Sequence, residues 1–357
     1  MTRGVVFAEP GAVPAVEEIT VEAPGPGEVQ VRVEACGVCH TDLHVVETGG
    51  WGLKFPILLG HEGAGTVEAV GDDVTIVAPG DRVVVAWRAP CGNACRACRR
   101  GDLRRCSNNL RVRSRMFRAD GSRLAPVLRS GAYADRIVVH ESAAVKMPDE
   151  LPLEQACLLA CGFSTGAGAA LWATPVEAGS SVAVIGCGGV GLAVVQGARL
   201  AGAETIVAVD VAPEKLELAR SLGATHAVEA ATSVAQVREL TDGVDYAFSA
   251  ITSTSGLVDA IRMCAYGGTA TLVGVPPPGR TLDVDVERDL FGPKVSIAVT
   301  HGGDTIPQQD FPFLAQAALD GRLDLARFVT RTIELEEVPQ ALEDLHTPQG
   351  VRTVVRL

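Results

Sequence analysis

Apolar and polar positions divide the chain into two regimes. Residues 28–35 place Val29, Val31 and Val33 on one face, the two-residue period of a half-buried strand. Two more β-rich runs, 63–70 and 82–87, end at Gly or Asp turns, so the first 150 residues read as mainly β structure. From about residue 155 short apolar runs recur at 181–185, 205–210, 227–229, 244–250, 269–275 and 295–300. Helical patterns separate them. In 213–222, Pro213 takes a first helical position and Gly223 follows the end. This alternation predicts an α/β unit with six parallel strands and helices on both faces. The tail after about residue 301 does not extend the alternation and is expected to return to the first region. No internal repeat or low-complexity tract stands out.

Length and composition agree with two domains. The 357 residues exceed the usual size of one core, and 47% hydrophobic with 21% charged residues is ordinary globular composition. A net charge of −12 argues against a nucleic-acid surface, which needs a basic patch. The start lacks a charged-then-apolar leader pattern, so a cytoplasmic location is expected, where ten cysteines point to metal or redox chemistry. Residues 155–176 and 178–198 carry no charge and have the length of membrane spans. Their Gly, Ser and Thr content favours buried core instead, and no membrane partner is expected.

The second region opens with Gly186-Cys187-Gly188-Gly189-Val190-Gly191 directly after the run 181–185. A glycine-rich turn alone is weak evidence. Here it sits between a strand and a helix, and Asp210 ends the next strand. Such glycines let the backbone approach a pyrophosphate, and the helix N-terminus offers unpaired N–H groups to its charge. Asp210 would accept hydrogen bonds from ribose hydroxyls and repel a 2′-phosphate, which favours NAD over NADP.

Two cysteine patterns suggest metal. Cys91, Cys95, Cys98 and Cys106 are separated by three, two and seven residues, a set suited to a closed tetrahedral zinc site. An iron–sulfur cluster or two disulfides are the alternatives. Arg96, Arg99, Arg100, Arg104 and Arg105 around it read as a solvated lobe that offsets thiolate charge. The other pattern is Cys36-Gly37-Val38-Cys39-His40-Thr41-Asp42-Leu43-His44, followed by Gly60-His61-Glu62. Cys36 and Cys39 alone form a redox-type CxxC pair. With His61 and a later cysteine, Cys39 could instead complete a Cys2His shell with one open position, as in catalytic zinc. Spacing leaves Cys157, Cys161 and Cys187 open as that partner.

Together with Cys161-Gly162-Phe163-Ser164-Thr165-Gly166 and the terminal Gly350-Val351-Arg352-Thr353, these motifs resemble the medium-chain zinc alcohol dehydrogenases over essentially the whole chain. The likeness is strongest to longer-chain members, including class III alcohol dehydrogenases and thiol-dependent formaldehyde dehydrogenases; residues 87–106 are similar to mycothiol-linked formaldehyde enzymes of actinobacteria. It implies a GroES-like catalytic domain, 1–160 and 301–357, with a structural zinc lobe at 88–110, and a Rossmann NAD-binding domain at 161–300. It implies two zinc ions per chain and a catalytic set of Cys39, His61 and Cys161. Glu62 would lie behind the metal and approach it when the ligand sphere changes, while Asp42 would orient His61. Thr41 would hydrogen-bond the alcohol and start a proton relay through the nicotinamide ribose to His44. Lys215 would contact the adenosine ribose, Arg352 would lie near the pyrophosphate, and Trp87, Val275 and Trp51 would line the substrate and nicotinamide end.

The implied reaction moves a hydride between a primary alcohol or aldehyde and NAD, with zinc as Lewis acid. Alternatives are a formaldehyde dehydrogenase acting on a thiol adduct, an enzyme with permanently bound NAD, and a non-enzymatic redox sensor built on Cys36 and Cys39. A homodimer through the cofactor domains is the family expectation, a tetramer the alternative. Two departures from the family pattern matter. Three residues separate Cys91 from Cys95 where two are usual, and His40 stands where arginine often meets the pyrophosphate. An imidazole of ordinary pKa, about 6.5, is mostly neutral at pH 8. His40→Arg should therefore tighten NADH binding at pH 8 in a fluorescence titration, and unchanged affinity would refute this role.

Overall fold

The computed structural model describes residues 1–50, 52–107, 113–347 and 350–357. The chain forms two compact units, Met1–Cys161 with Ile306–Leu357, and Gly162–Thr305. Trp51 lies outside the described residues.

The second unit carries the expected six-stranded parallel sheet. Its spatial order runs His226–Glu229, Thr205–Asp210, Ser181–Ile185, Val244–Ser249, Cys264–Leu272, Ser296–Val299. The order reverses beside Ser181–Ile185, where the glycine-rich turn begins, the place at which doubly wound sheets bind ligands. The apolar run 181–185 is a strand because both faces are covered: Val182, Ala183 and Val184 have no solvent exposure. Helix Pro213–Ser221 starts on its proline as expected. The fifth strand differs from expectation, spanning Cys264–Leu272 where 269–275 was expected. Val275 precedes three prolines, which cannot donate to a ladder.

The first unit is mainly β. One sheet orders Met116–Arg118, Ala15–Val21, Thr2–Phe7, Ile57–Leu58 and Ala125–Pro126. A larger sheet orders Ala144–Lys146, Arg82–Val85, Gly63–Val70, Glu28–Gly37, Arg352–Arg356 and Val329–Glu334, with Arg136–His140 also paired to Glu28–Gly37. Inward residues of both sheets make one core that includes Val5, Phe7, Val31, Leu58, Tyr133 and Ile137. The last strand pairs antiparallel with Glu28–Gly37, setting Val354 opposite Gly37. Arg352 is thereby brought to the segment that leads into Cys39.

The cysteine lobe hangs on buried polar contacts. Arg88 donates to the carbonyls of Arg104 (2.8 Å) and Cys106 (2.9 Å). The Arg104 guanidinium meets both Asp310 carboxylate oxygens at 2.7 and 3.1 Å. Asp310 sits in the first turn of helix Pro307–Leu319 and also accepts the Ile306 N–H at 2.6 Å.

No single described helix is long and apolar enough to cross a membrane. One bent pair, 153–160 with 162–173, passes by length and composition. Its Cys157, Leu159, Phe163 and Ala167 are at most 1% exposed within the protein, as core helices are.

Candidate active site

One short helix, His40–Glu47, carries most of the first unit's chemistry, with Cys39 as its extended N-cap residue. His40 is exposed, Thr41 and His44 are half-buried on this helix, and Asp42 faces inward with no solvent exposure. A buried carboxylate needs donors, and Asp42 has several. Its Oδ1 accepts the Gly60 N–H at 2.8 Å, while Oδ2 stands 2.9 Å from His61 Nδ1 and 3.3 Å from the Tyr133 hydroxyl. Gly60 makes this possible through a left-handed backbone, φ 90°.

Among the described residues, one ligand-type atom from each of Cys39, His61, Glu62 and Cys161 lies within 4.8 Å of the others. Of the three cysteines that spacing left open, Cys161 joins this group. The Cys157 thiol instead contacts the Glu154 carbonyl at 3.3 Å, and the Cys187 thiol lies 3.7 Å from the Val209 carbonyl in the other unit. Cys36 and Cys39 are both free thiols.

The electrostatics of the group follow from its burial and its close charges. The Cys161 thiol donates to Cys39 and holds the Cys39 thiol well below its usual range, against the effect of burial. Cys161 is pushed up by the same bond and by burial. Burial opposes protonation of His61, but Asp42 and Cys39 raise it. Burial pushes Glu62 up to about 7 although Arg352 pulls the other way. Arg352, its side chain 9% exposed, forms an ion pair with the wholly buried Glu62. Neither ring nitrogen of His61 makes a hydrogen bond among the described residues; Nδ1 has the Asp42 carboxylate 2.9 Å away, and Nε2 is left buried toward the thiols. An orphaned imidazole nitrogen beside two thiols fits a borderline-soft cation such as zinc, which takes N and S ligands.

The second group consists of Cys91, Cys95, Cys98 and Cys106, all buried and all free of disulfides. Their sulfurs approach at 3.4 Å (Cys91–Cys106), 3.8 Å (Cys91–Cys98) and 3.9 Å (Cys95–Cys106). Sulfurs about 2.3 Å from one tetrahedral ion stand about 3.8 Å apart, so the donors fit a closed zinc shell. Cys91 is inside the group despite its longer spacing. The loop turns through Gly92 at φ 61°.

In the second unit, the turn that carries Gly186, Gly188, Gly189, Val190 and Gly191 joins strand Ser181–Ile185 to helix Gly189–Ala201. A side chain at Gly191 would collide with the Gly186 carbonyl, which is why the turn can be this tight. Asp210 ends its strand and accepts N–H bonds from Cys187 at 2.6 Å and Ala212 at 3.0 Å. Its charge therefore sits against the turn. Lys215 lies half-buried on helix Pro213–Ser221. Trp87 is half-buried in the first unit, and Val275 is 50% exposed in the second.

The family descriptions "Alcohol dehydrogenase GroES-like domain" and "Zinc-binding dehydrogenase" match residues 25–149 and 189–319. S-(hydroxymethyl)glutathione dehydrogenase of Saccharomyces cerevisiae is 35% identical over 96% of this chain and 92% of its own. The chain belongs to the zinc-dependent medium-chain alcohol dehydrogenase family. Benzyl alcohol dehydrogenase of Acinetobacter calcoaceticus superposes with TM-score 0.91 and 31% identity, covering 100% of this chain and 99% of that one. An alcohol dehydrogenase zinc-binding domain protein from Burkholderia ambifaria gives 0.93 at 36% identity, covering 100% and 98%.

Two contacts in this alcohol dehydrogenase fold escape the sequence. The Arg352 guanidinium, expected near a pyrophosphate, bonds to Glu62 in the structure. Tyr133, which reads as an ordinary core aromatic, reaches Asp42. Nothing local marks either partner, because they are 290 and 91 positions apart.

The ion pair makes a direct prediction for the metal-depleted protein. Arg352→Met should cost about 3 kcal/mol in denaturant unfolding, because a buried carboxylate loses its cation. Adding Glu62→Gln should restore most of that loss. A double variant no more stable than Arg352→Met alone would show that the pair is not the cause.

Proposed function

We propose that this chain interconverts a primary alcohol and its aldehyde with NAD, using zinc held by Cys39, His61 and Cys161. The observation that carries this is the convergence of two thiols, Cys39 buried and Cys161 half-buried, on a buried imidazole Nε2 that lacks a hydrogen-bond partner among the described residues. A zinc ion there would supply the Lewis acidity that brings an alcohol hydroxyl toward ionisation near neutral pH. Asp42 would keep the proton on His61 Nδ1 and so aim Nε2 at the thiols. Thr41 and His44, half-buried on the helix that follows Cys39, would lead the hydroxyl proton to solvent. Glu62 would be held by Arg352, leaving two thiolates and one imidazole as the ligand set.

The turn at Gly186, Gly188, Gly189, Val190 and Gly191 would hold the cofactor pyrophosphate. Asp210 would take the adenosine ribose hydroxyls, and Lys215 would lie nearby. A carboxylate fixed at that turn supports NAD over a cofactor carrying a 2′-phosphate. Bound NAD supplies the hydride acceptor. Cys91, Cys95, Cys98 and Cys106 would hold a second, structural zinc.

One comparison favours a second substrate reading. The 35% identity to S-(hydroxymethyl)glutathione dehydrogenase spans nearly the whole chain, so a hydroxymethyl adduct of a small thiol is the alternative to a free alcohol. A homodimer is inferred from the outermost strand of the second unit. Ser296–Val299 ends the sheet order with Ile297 41% and Val299 60% exposed, and Phe291 is 81% exposed nearby. Such an apolar edge favours pairing with a second copy.

Zinc-replete protein is expected to hold about two zinc ions per chain and to change NADH absorbance with aromatic or aliphatic primary alcohols. Turnover of formaldehyde only with an added thiol would select the adduct reading instead. Zinc-replete protein inactive on all of these would overturn the enzyme assignment. Light scattering at micromolar concentration should give the mass of a dimer, and a monomer would refute the edge-strand contact.

A further inference from the structure

We infer that the Tyr133 hydroxyl is a positioning group for the metal centre, acting through Asp42 on His61. The inference rests on the proposal that Cys39, His61 and Cys161 hold a metal. Tyr133 is wholly buried, whereas Tyr246 and Tyr266 reach solvent. Its ring belongs to the first unit's core, but core packing needs only the ring. A phenylalanine would fill almost the same volume without taking a hydroxyl out of water.

The hydroxyl has two acceptors, the Gly37 carbonyl at 3.2 Å and Asp42 Oδ2 at 3.3 Å. It has one proton to give. A charged acceptor makes the stronger bond, so the carboxylate is preferred. Burial first, and the Asp42 charge next, push the phenol well above its usual pKa, so it stays a donor. Asp42 Oδ2 is the same oxygen that stands 2.9 Å from His61 Nδ1, while Oδ1 takes the Gly60 N–H. Hydrogen bonds from Gly60 and Tyr133, two segments far apart in sequence, together with the close His61 ring therefore hold one carboxylate that has no solvent exposure.

The backbone reinforces this arrangement. The Tyr133 N–H donates to the Leu59 carbonyl at 3.0 Å, and the Ala132 N–H donates to Gly60 at 2.8 Å. The segment that supplies the hydroxyl is thus tied to the residues immediately before His61. A carboxylate held by the phenol cannot swing away from the imidazole, and the imidazole keeps Nε2 aimed at the thiols. Partners of metal-bound histidines commonly change metal affinity 10–100-fold.

The test uses full-length, zinc-loaded Tyr133→Phe. Zinc release to a chromogenic chelator should be about tenfold faster from the Cys39 site, with release from the four-cysteine site unchanged as an internal reference. In cobalt-substituted protein the ligand-field bands of the Cys2His site should shift. The melting temperature of the metal-free chain reports that the fold is intact. Because the tyrosine acts through the carboxylate, Asp42→Asn with Tyr133→Phe should release zinc no faster than Asp42→Asn alone.

Unchanged release and unchanged cobalt bands in a folded Tyr133→Phe would overturn the inference, as would additive losses in the double variant. If Cys39→Ser keeps both zinc ions as tightly as the parent, the metal assignment falls and this inference with it. If Cys39→Ser loses one zinc while Tyr133→Phe is silent, only the role of Tyr133 falls.

Discussion

A carboxylate with no access to water, Asp42, organises the first unit. A carboxylate this deeply buried is costly unless donors surround it. The Gly60 N–H, the His61 imidazole and the Tyr133 hydroxyl lie around it at 2.8, 2.9 and 3.3 Å. They draw two segments inward: the turn that carries Gly60 and His61, and the stretch around Tyr133 that lies alongside Leu59. Moving any of them would reorient the imidazole. That demand explains why a left-handed glycine precedes His61 and why Asp42 shares the inward side of its helix with Leu43 and Val45.

The same logic governs the second buried carboxylate, with a different solution. Glu62 follows His61 directly and would add negative charge to a group that already contains the Cys39 thiolate. Instead of neutral donors it takes Arg352, delivered by the last strand of the chain. This couples the C-terminal strand to the site. Antiparallel pairing of Val354 with Gly37 sets the register that brings the guanidinium to Glu62. A slip of one residue would send Arg352 to the other face of the sheet.

How much was legible from sequence depended on the range of each interaction. The parallel strands are short apolar runs, buried in the middle of the sheet and exposed at its edges, so all six in the second unit could be read, with errors at their ends. The fifth missed because a bulge between Val244 and Tyr246 lengthens its start and prolines stop its end. Cys39, Asp42, His61 and Glu62 lie in two short motifs and are readable locally. The choice of Cys161 over Cys157 was not readable from spacing, since four positions on a short helical stretch decide which thiol faces the group. Tyr133 and the Glu62–Arg352 pair were invisible for a plainer reason. A core aromatic and a C-terminal arginine carry no local signature, and only strand register brings them to their partners.

Charge also separates the two cysteine groups. Four thiolates around a dication leave two net negative charges. The lobe answers with Arg96, Arg99, Arg100, Arg104 and Arg105 in a protein that is otherwise acidic. Two thiolates and a neutral imidazole around a dication leave none, and Glu62 beside them is neutralised by Arg352. A metal in the first environment would be electron-rich and closed on all four sides, suited to bracing a loop. One in the second would keep both an open position and its Lewis acidity. Arg352 is central to that difference. Without its cation, Glu62 would either take up a proton, which leaves the site neutral, or turn its carboxylate on the metal, which would cost the site the neutrality and the open position that favour activation of an alcohol.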